Sequence, residues 1–272
     1  MRKKRSFKTV FTVCLLSALA LAALCLGIRA LLSAHRPASD DTAATTPQKT
    51  ITRDGVDYFP RQDLTVVMLL AEDVDGTAAH VSLLVLDETN ATCTVLSPDR
   101  NTMLDIRVPG IGGTPDSTVC DRLATACSYG TAPTAGCENM KRTLEQFFHG
   151  MTVDHCIALQ AEALPLLYQA LGLSTDTADL DFARLMEQLS LQPGQLTDYI
   201  RLLRDLSPYV VTDISATLLA TFPSRYKDFT LAAIVSPEGE AVVTDGHSAF
   251  YADAEKLDAL TVQLFYAPKN PS

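Results

Sequence analysis

The segment Leu96-Ser97-Pro98-Asp99-Arg100-Asn101-Thr102-Met103 is where this 272-residue sequence gathers side chains suited to holding an anion. It directly follows the β-type run Thr92 to Leu96, so Arg100 falls at a strand's C-terminal end, where open α/β sheets place their ligand crevice. The planar guanidinium fork suits phosphate oxygens. Position alone leaves a second reading, a surface arginine paired with Asp99 or Asp105. Other candidates are weaker. Asp73, His80 and Ser82 have the residue types of a hydrolase triad, but no G-x-S-x-G elbow is present. Gly110 to Gly113 is not followed by a helix start and reads as a loop. His149, His155 and His247 lack ligand spacing and read as structural or solvent-facing.

The elements needed to position Arg100 are legible around it. Leu64 to Leu70 is apolar but for Thr65, Val81 to Leu86 is apolar but for Ser82, and Thr92 to Leu96 follows the turn-forming Asp87-Glu88-Thr89-Asn90. Strands this apolar on successive residues are covered on both faces, which predicts a layered α/β fold. Helices are expected over Thr118 to Tyr129, with Gly130 as a cap, over Ala135 to His149, stopped by Gly150, and over Ala161 to Leu171. Ile157 to Leu159 reads as a short strand. Further along, Phe182 to Leu191 and Gln195 to Leu206 read as amphipathic helices. Tyr209 to Thr212 and Phe229 to Val235 read as strands, the latter in a hairpin with Ala241 to Val243 across Ser236-Pro237-Glu238-Gly239. Ser248 to Phe265 reads as largely helical.

Charge divides the chain. Arg2, Lys3, Lys4, Arg5 and Lys8 precede an uncharged run from Thr9 to Ile28, long enough as a helix to cover roughly 30 Å of hydrocarbon. The basic excess at the start puts the N-terminus inside and the remainder outside the cell membrane. A cleaved signal peptide would share the basic tip, but the apolar run is long for one and Ala30 to Pro37 is a poor cleavage site. The expected organisation is a cytoplasmic tip at 1–8, a membrane anchor at 9–33, a polar linker at 34–60 and an extracytoplasmic domain at 61–272. All 32 acidic residues lie from Asp40 onward, against 15 of the 22 basic ones, a net charge of −17 for the outer portion. That sign opposes nucleic-acid binding. Cys93, Cys120, Cys127, Cys137 and Cys156 of the outer portion show no CxxC pair. They are compatible with one or two disulfides or with buried thiols that form none.

The string Val95-Leu96-Ser97-Pro98-Asp99-Arg100-Asn101-Thr102-Met103, followed by Ser128-Tyr129-Gly130, resembles the LytR-CpsA-Psr family of envelope proteins. The family pattern is a strand, S-I-P-R-D-T, and a helix ending in A-Y-G. The likeness continues through Phe147 to His155 and Ala163-Leu164-Pro165 to Gly172, covering about Asp63 to Gly172. From Ser236 to Gly239 and Asp245 to Tyr266 the chain looks like the C-terminal extension of a clostridial-type branch.

The resemblance implies an α/β/α sandwich with a central mixed sheet, preceded by one transmembrane helix. It implies a phosphotransferase that moves a glycopolymer from a polyprenyl-pyrophosphate carrier to peptidoglycan with Mg²⁺. A catalytically inactive relative that binds polyprenyl lipid or partner proteins is the alternative. Matched residue by residue, Arg100 and Asn101 occupy the R-D of P-R-D-T as the catalytic pair, with Asn101 where the family has its acid. Arg100, Arg122 and Arg201 would hold the pyrophosphate, and Asp73 and Asp99 the metal. The family's R-S-D-T falls on Thr77-Ala78-Ala79-His80, which carries neither its arginine nor its acid.

Overall fold

The structure is a computed structural model, and it describes residues 50–73, 75–108, 110, 116–130, 133–163, 165–166, 205–215, 218, 225–226, 228–244 and 246–269. The expected anchor at 9–33, the helix expected over 182–191 and all but 205–206 of that over 195–206 lie outside the described residues. So do most of the helix expected over 161–171 and Arg201. Among the described residues no helix is long and apolar enough to cross a membrane.

In chain order the elements are β1 (Ile51–Arg53), β2 (Val56–Pro60), β3 (Leu64–Glu72), β4 (Ala78–Asp87), β5 (Thr92–Leu96), β6 (Met103–Val108) and β7 (Ser117–Arg122). A 3₁₀ segment (Leu123–Tyr129), helix α1 (Pro133–Phe147) and β8 (His155–Leu159) follow. Then come β9 (Val210–Thr212), β10 (Thr230–Val235), β11 (Gly239–Thr244), β12 (His247–Ala252), helix α2 (Ala254–Phe265) and β13 (Tyr266–Pro268). The main sheet has the order β10-β5-β4-β3-β8-β9. β3 runs parallel to β8 and β5 parallel to β10, while β4 runs against both β3 and β5. The fold is therefore α/β with a central mixed sheet. The C-terminal ends of β3, β5, β8 and β10 share one edge of it.

Both sheet faces are buried, as the near-continuous apolar runs predict. Val66, Met68 and Leu70 of β3 join Val81, Leu83 and Val85 of β4 in a core closed by Leu123, Met140, Leu144, Phe148 and Phe265. The intervening Val67, Leu84 and Leu86 pack on the other side with Ile157, Ile214, Tyr226 and Phe229.

Four expectations are corrected. Thr118 to Arg122 is strand β7, paired antiparallel with β6, because β-branched Thr118 and Val119 suit an extended ribbon; only from Leu123 does the chain tighten into 3₁₀ turns. Gly130 does cap the segment, its amide donating to Cys127 O at 3.2 Å, with an extended φ of −81°. It is needed because a Cβ there would lie 2.3 Å from the Gly136 amide nitrogen. Ala241 to Val243 does not pair with Phe229 to Val235: β10 joins β5, and β11 pairs with β12. That places His247 to Ala252 in a strand, and α2 begins only after Asp253, whose carboxylate accepts from the Glu255 and Lys256 amides. Finally, 51–60 is not linker but the β1–β2 hairpin, continued by β13 into a three-stranded sheet.

Arg61 ties this small sheet to the main one. Its guanidinium reaches Asp63 at 2.5 Å and Asp87 at 2.8 Å, joining the start of β3 to the end of β4. The Arg61 hydrogen bond, assisted by Thr89, holds the Asp63 carboxyl down to about 2. A depressed carboxylate contributes stability that is present above its unfolded value near 3.8 and lost as pH falls towards 2. Arg61→Ala is expected to cost about 1 to 2 kcal/mol at pH 7, discounted for partial exposure. The cost should shrink between pH 4 and pH 2. Urea denaturation of both proteins across that range is the check.

Candidate functional site

The site lies on the shared edge where β3, β5, β8 and β10 end. The turn after β3 is fixed by its own backbone: Asp73 N donates to Thr77 O at 2.7 Å and Gly76 N to Asp73 O at 3.0 Å. Gly76 has a φ of +77°, a region open to glycine. The Asp75 carboxylate accepts from the Thr77 hydroxyl at 2.6 Å and from its amide at 2.9 Å. Those two bonds, with the nearby charge of Arg100, keep Asp75 below the usual carboxylate range.

The loop after β5 is held at three successive carbonyls. Arg100 O accepts from Ala124 N, Asn101 O from Phe250 N and Thr102 O from Leu123 N, at 2.8, 2.9 and 2.8 Å. Buried Thr102 donates its hydroxyl to Asp99 O at 2.6 Å. The loop is thus pinned to the 3₁₀ segment on one side and to β12 on the other. That is the kind of support that fixes a first-contact residue.

The guanidinium of Arg100 leans over the β3 turn, with Nη2 3.5 Å from the Thr77 hydroxyl. It makes no ion pair among the described residues. The bland reading from sequence therefore does not hold: the Asp99 carboxylate accepts from Asn101 N at 2.8 Å instead. Arg122 ends β7 directly opposite Met103, and its neighbours Leu123 and Ala124 bond the Arg100 loop. Two of the three expected arginines are thus brought to one region; the third, Arg201, lies outside the described residues.

The metal ligands fare differently. Asp73 sits in the β3 turn and Asp99 in the β5 loop. Asp99 is occupied by a backbone amide, and no group of three His, Cys, Asp or Glu side chains among the described residues is arranged to hold a metal. The described residues do not build a protein-only cation cage. Sequence reading also missed three participants. Thr77 stands where the R-S-D-T match fails, and Asp75 lies two residues beyond the acid that was matched. Glu72 is half-buried at the end of β3; burial first, and then the Glu162 charge, push its carboxyl upward. Its position beside Asp73 was the available signal.

The five described cysteines are free thiols, with Cys93, Cys127, Cys137 and Cys156 buried and Cys120 exposed. Burial pushes the Cys93 and Cys127 thiols up to about 12, so they stay neutral core groups. His149 faces Asp258 at 2.5 Å and His155 lies 3.8 Å from Asp213, structural pairings rather than ligand sites.

The arrangement of this site falls within a known fold. A transcriptional regulator from Enterococcus faecalis superimposes with a TM-score of 0.54 at 16% identity, over 75% of this chain and 87% of that one. TagT bound to LI-WTA matches with a TM-score of 0.53 at 15% identity, over 75% and 90%. Bacillus subtilis TagV matches with 0.51 at 14%, over 75% and 96%. These neighbours carry the LytR-CpsA-Psr fold, and this chain has it too. No family model matches the chain, and no curated protein sequence is similar to it.

Proposed function

We propose that the chain is a LytR-CpsA-Psr protein, an α/β/α sandwich held outside the cell membrane by a single N-terminal anchor. We assign it the transfer of a glycopolymer from a polyprenyl-pyrophosphate carrier to peptidoglycan. The observation that carries this reading is Arg100. Its loop is pinned on both sides at the strand-end crevice and its guanidinium makes no ion pair among the described residues, in a domain whose overall charge would otherwise repel a pyrophosphate. The shared fold with TagT, determined with LI-WTA bound, supports it.

In this reaction an acceptor hydroxyl of the glycan attacks the phosphorus nearer the transferred sugar. A new P–O bond forms, the bridging P–O bond breaks, and polyprenyl phosphate leaves. Arg100 and Arg122 bind the pyrophosphate oxygens and neutralise the charge that builds on them; Arg201 is assigned the same task from sequence. Mg²⁺ would come with the pyrophosphate and take Asp73 or Asp99 as a supporting carboxylate, supplying further neutralisation. Asn101 cannot take a proton. Glu72, whose carboxyl is raised by burial, is the group assigned to accept it.

Glu72→Gln is expected to slow transfer by about 10²-fold while melting higher than the parent at pH 7.5. The sign follows from linkage: a raised carboxyl favours the protonated fold, so its ionisation destabilises the protein as pH rises, and glutamine removes that cost. The melting difference should vanish near pH 4. Thermal melts at both pH values and a transfer assay check the two halves.

The reading itself is tested with the full chain in detergent, a labelled polyprenyl-pyrophosphate glycan, peptidoglycan oligomers and Mg²⁺. Metal-dependent covalent labelling of peptidoglycan supports it. The replacement of the family acid by Asn101 favours the second reading, an inactive lipid-binding relative, which predicts donor binding without any labelled product.

A further inference from the structure

An open cleft of about 620 Å³ lies beside the Arg100 loop, lined by Glu238, Glu240, Phe250, Tyr251, Asp253 and Lys256. It belongs to the C-terminal hairpin rather than to the sheet. Three contacts place it next to the site: Ser97 N donates to Val235 O at 2.9 Å where β5 and β10 end, Phe250 N donates to Asn101 O, and Thr102 bridges Phe250 in parallel.

The lining groups divide by what they already do. Lys256 Nζ holds Glu238 at 2.6 Å, and the Asp253 carboxylate caps α2. Glu240 pairs across the ribbon with Tyr251 and makes no ion pair among the described residues. Tyr251 is 52% exposed, one of the few large apolar residues left to solvent among the described residues. What remains available is therefore an aromatic face beside an acceptor-only carboxylate. Three carboxylates against one ammonium exclude a phosphate-bearing chain. With one uncommitted acid, the cleft offers no cluster for a polycationic peptide. A neutral pyranose fits both groups, its C–H face on the tyrosine ring and its hydroxyls donating to Glu240. The volume is in the range of small-ligand sites.

We propose that this cleft is a subsite for an uncharged pyranose glycan, which brings the acceptor hydroxyl towards Arg100. The acceptor role rests on the transferase reading; the binding does not.

The test uses the full chain in detergent and a β-1,4-linked N-acetylglucosamine tetramer, with binding followed by calorimetry and saturation-transfer NMR. Tyr251→Ala should weaken binding about tenfold with an unchanged thermal melt. Tyr251→Phe should bind nearly as the parent does, and so should Arg100→Ala. Absence of tetramer binding by the parent, equal binding by Tyr251→Ala, or displacement of the tetramer by a lysine-rich peptide overturns the subsite. Arg100-dependent transfer alongside any of these leaves the transferase reading standing. Tyr251-dependent binding without transfer overturns that reading and leaves the subsite intact.

Discussion

Arg100→Ala should lower glycopolymer transfer by about 10³-fold and leave the thermal melt unchanged. The rate effect follows from the chemistry, since phosphoryl-type transfer depends on charge neutralisation and positioning, and removal of one preorganised cationic group typically costs this much. The absence of a stability effect follows from the structure. The guanidinium's one polar contact among the described residues is the 3.5 Å approach to Thr77, while the backbone of the loop is held by carbonyl bonds that the substitution leaves in place. Arg100→Lys should recover part of the rate, because an ammonium keeps the charge and loses the bidentate geometry. A variant that melts lower by several degrees would mean that Arg100 is structural.

The largest stability effect is expected at Phe148. Its side chain is fully buried between α1 and the sheet, with ring centroids 4.8 Å from Phe147 and 6.0 Å from Phe265. It joins α1 to α2, so it connects the core that positions the Arg100 loop with the C-terminal extension. Phe148→Ala should cost about 3 to 5 kcal/mol, from lost transfer energy and the cavity left behind. That is a large part of the roughly 5 to 15 kcal/mol that stabilises a typical domain. Phe148→Leu should lose less than half as much. Urea denaturation measures both, and a cost under about 1 kcal/mol for the alanine variant would show that the two helices are not joined through this ring.

The core strands were legible because burial on both faces leaves an unambiguous apolar signature; Thr92 to Leu96 was read with its observed limits. The helix at α1 was legible from its periodic apolar face. What failed were elements that bury only one face or none. β7 alternates Thr118, Val119 and Cys120 in a two-stranded ribbon, a pattern too short to separate from a helical one. The β11–β12 pairing depends on β10 being taken by β5, a long-range choice that no local turn signal reveals. The β1–β2 hairpin did carry a local signal: Asp54-Gly55, with φ of 51° and 76°, is the turn chemistry of a tight hairpin. It was masked by the polar residues preceding it.

The site divides in the same way. Arg100 was found because a strand end is a position that sequence can locate. Glu72, Asp75 and Thr77 were missed because the motif match fell on residues of the wrong type, and only the fold brings the β3 turn under the Arg100 side chain. Phe250 belongs to the site through a backbone bond, which no side-chain pattern encodes.

The most direct test of the central claim is the affinity of the full chain for polyprenyl pyrophosphate, measured against polyprenol of the same length in the same detergent. The account predicts clear preference for the pyrophosphate, lost in Arg100→Ala and weakened by high salt. Equal binding of both lipids, or a preference that survives Arg100→Ala, would contradict it.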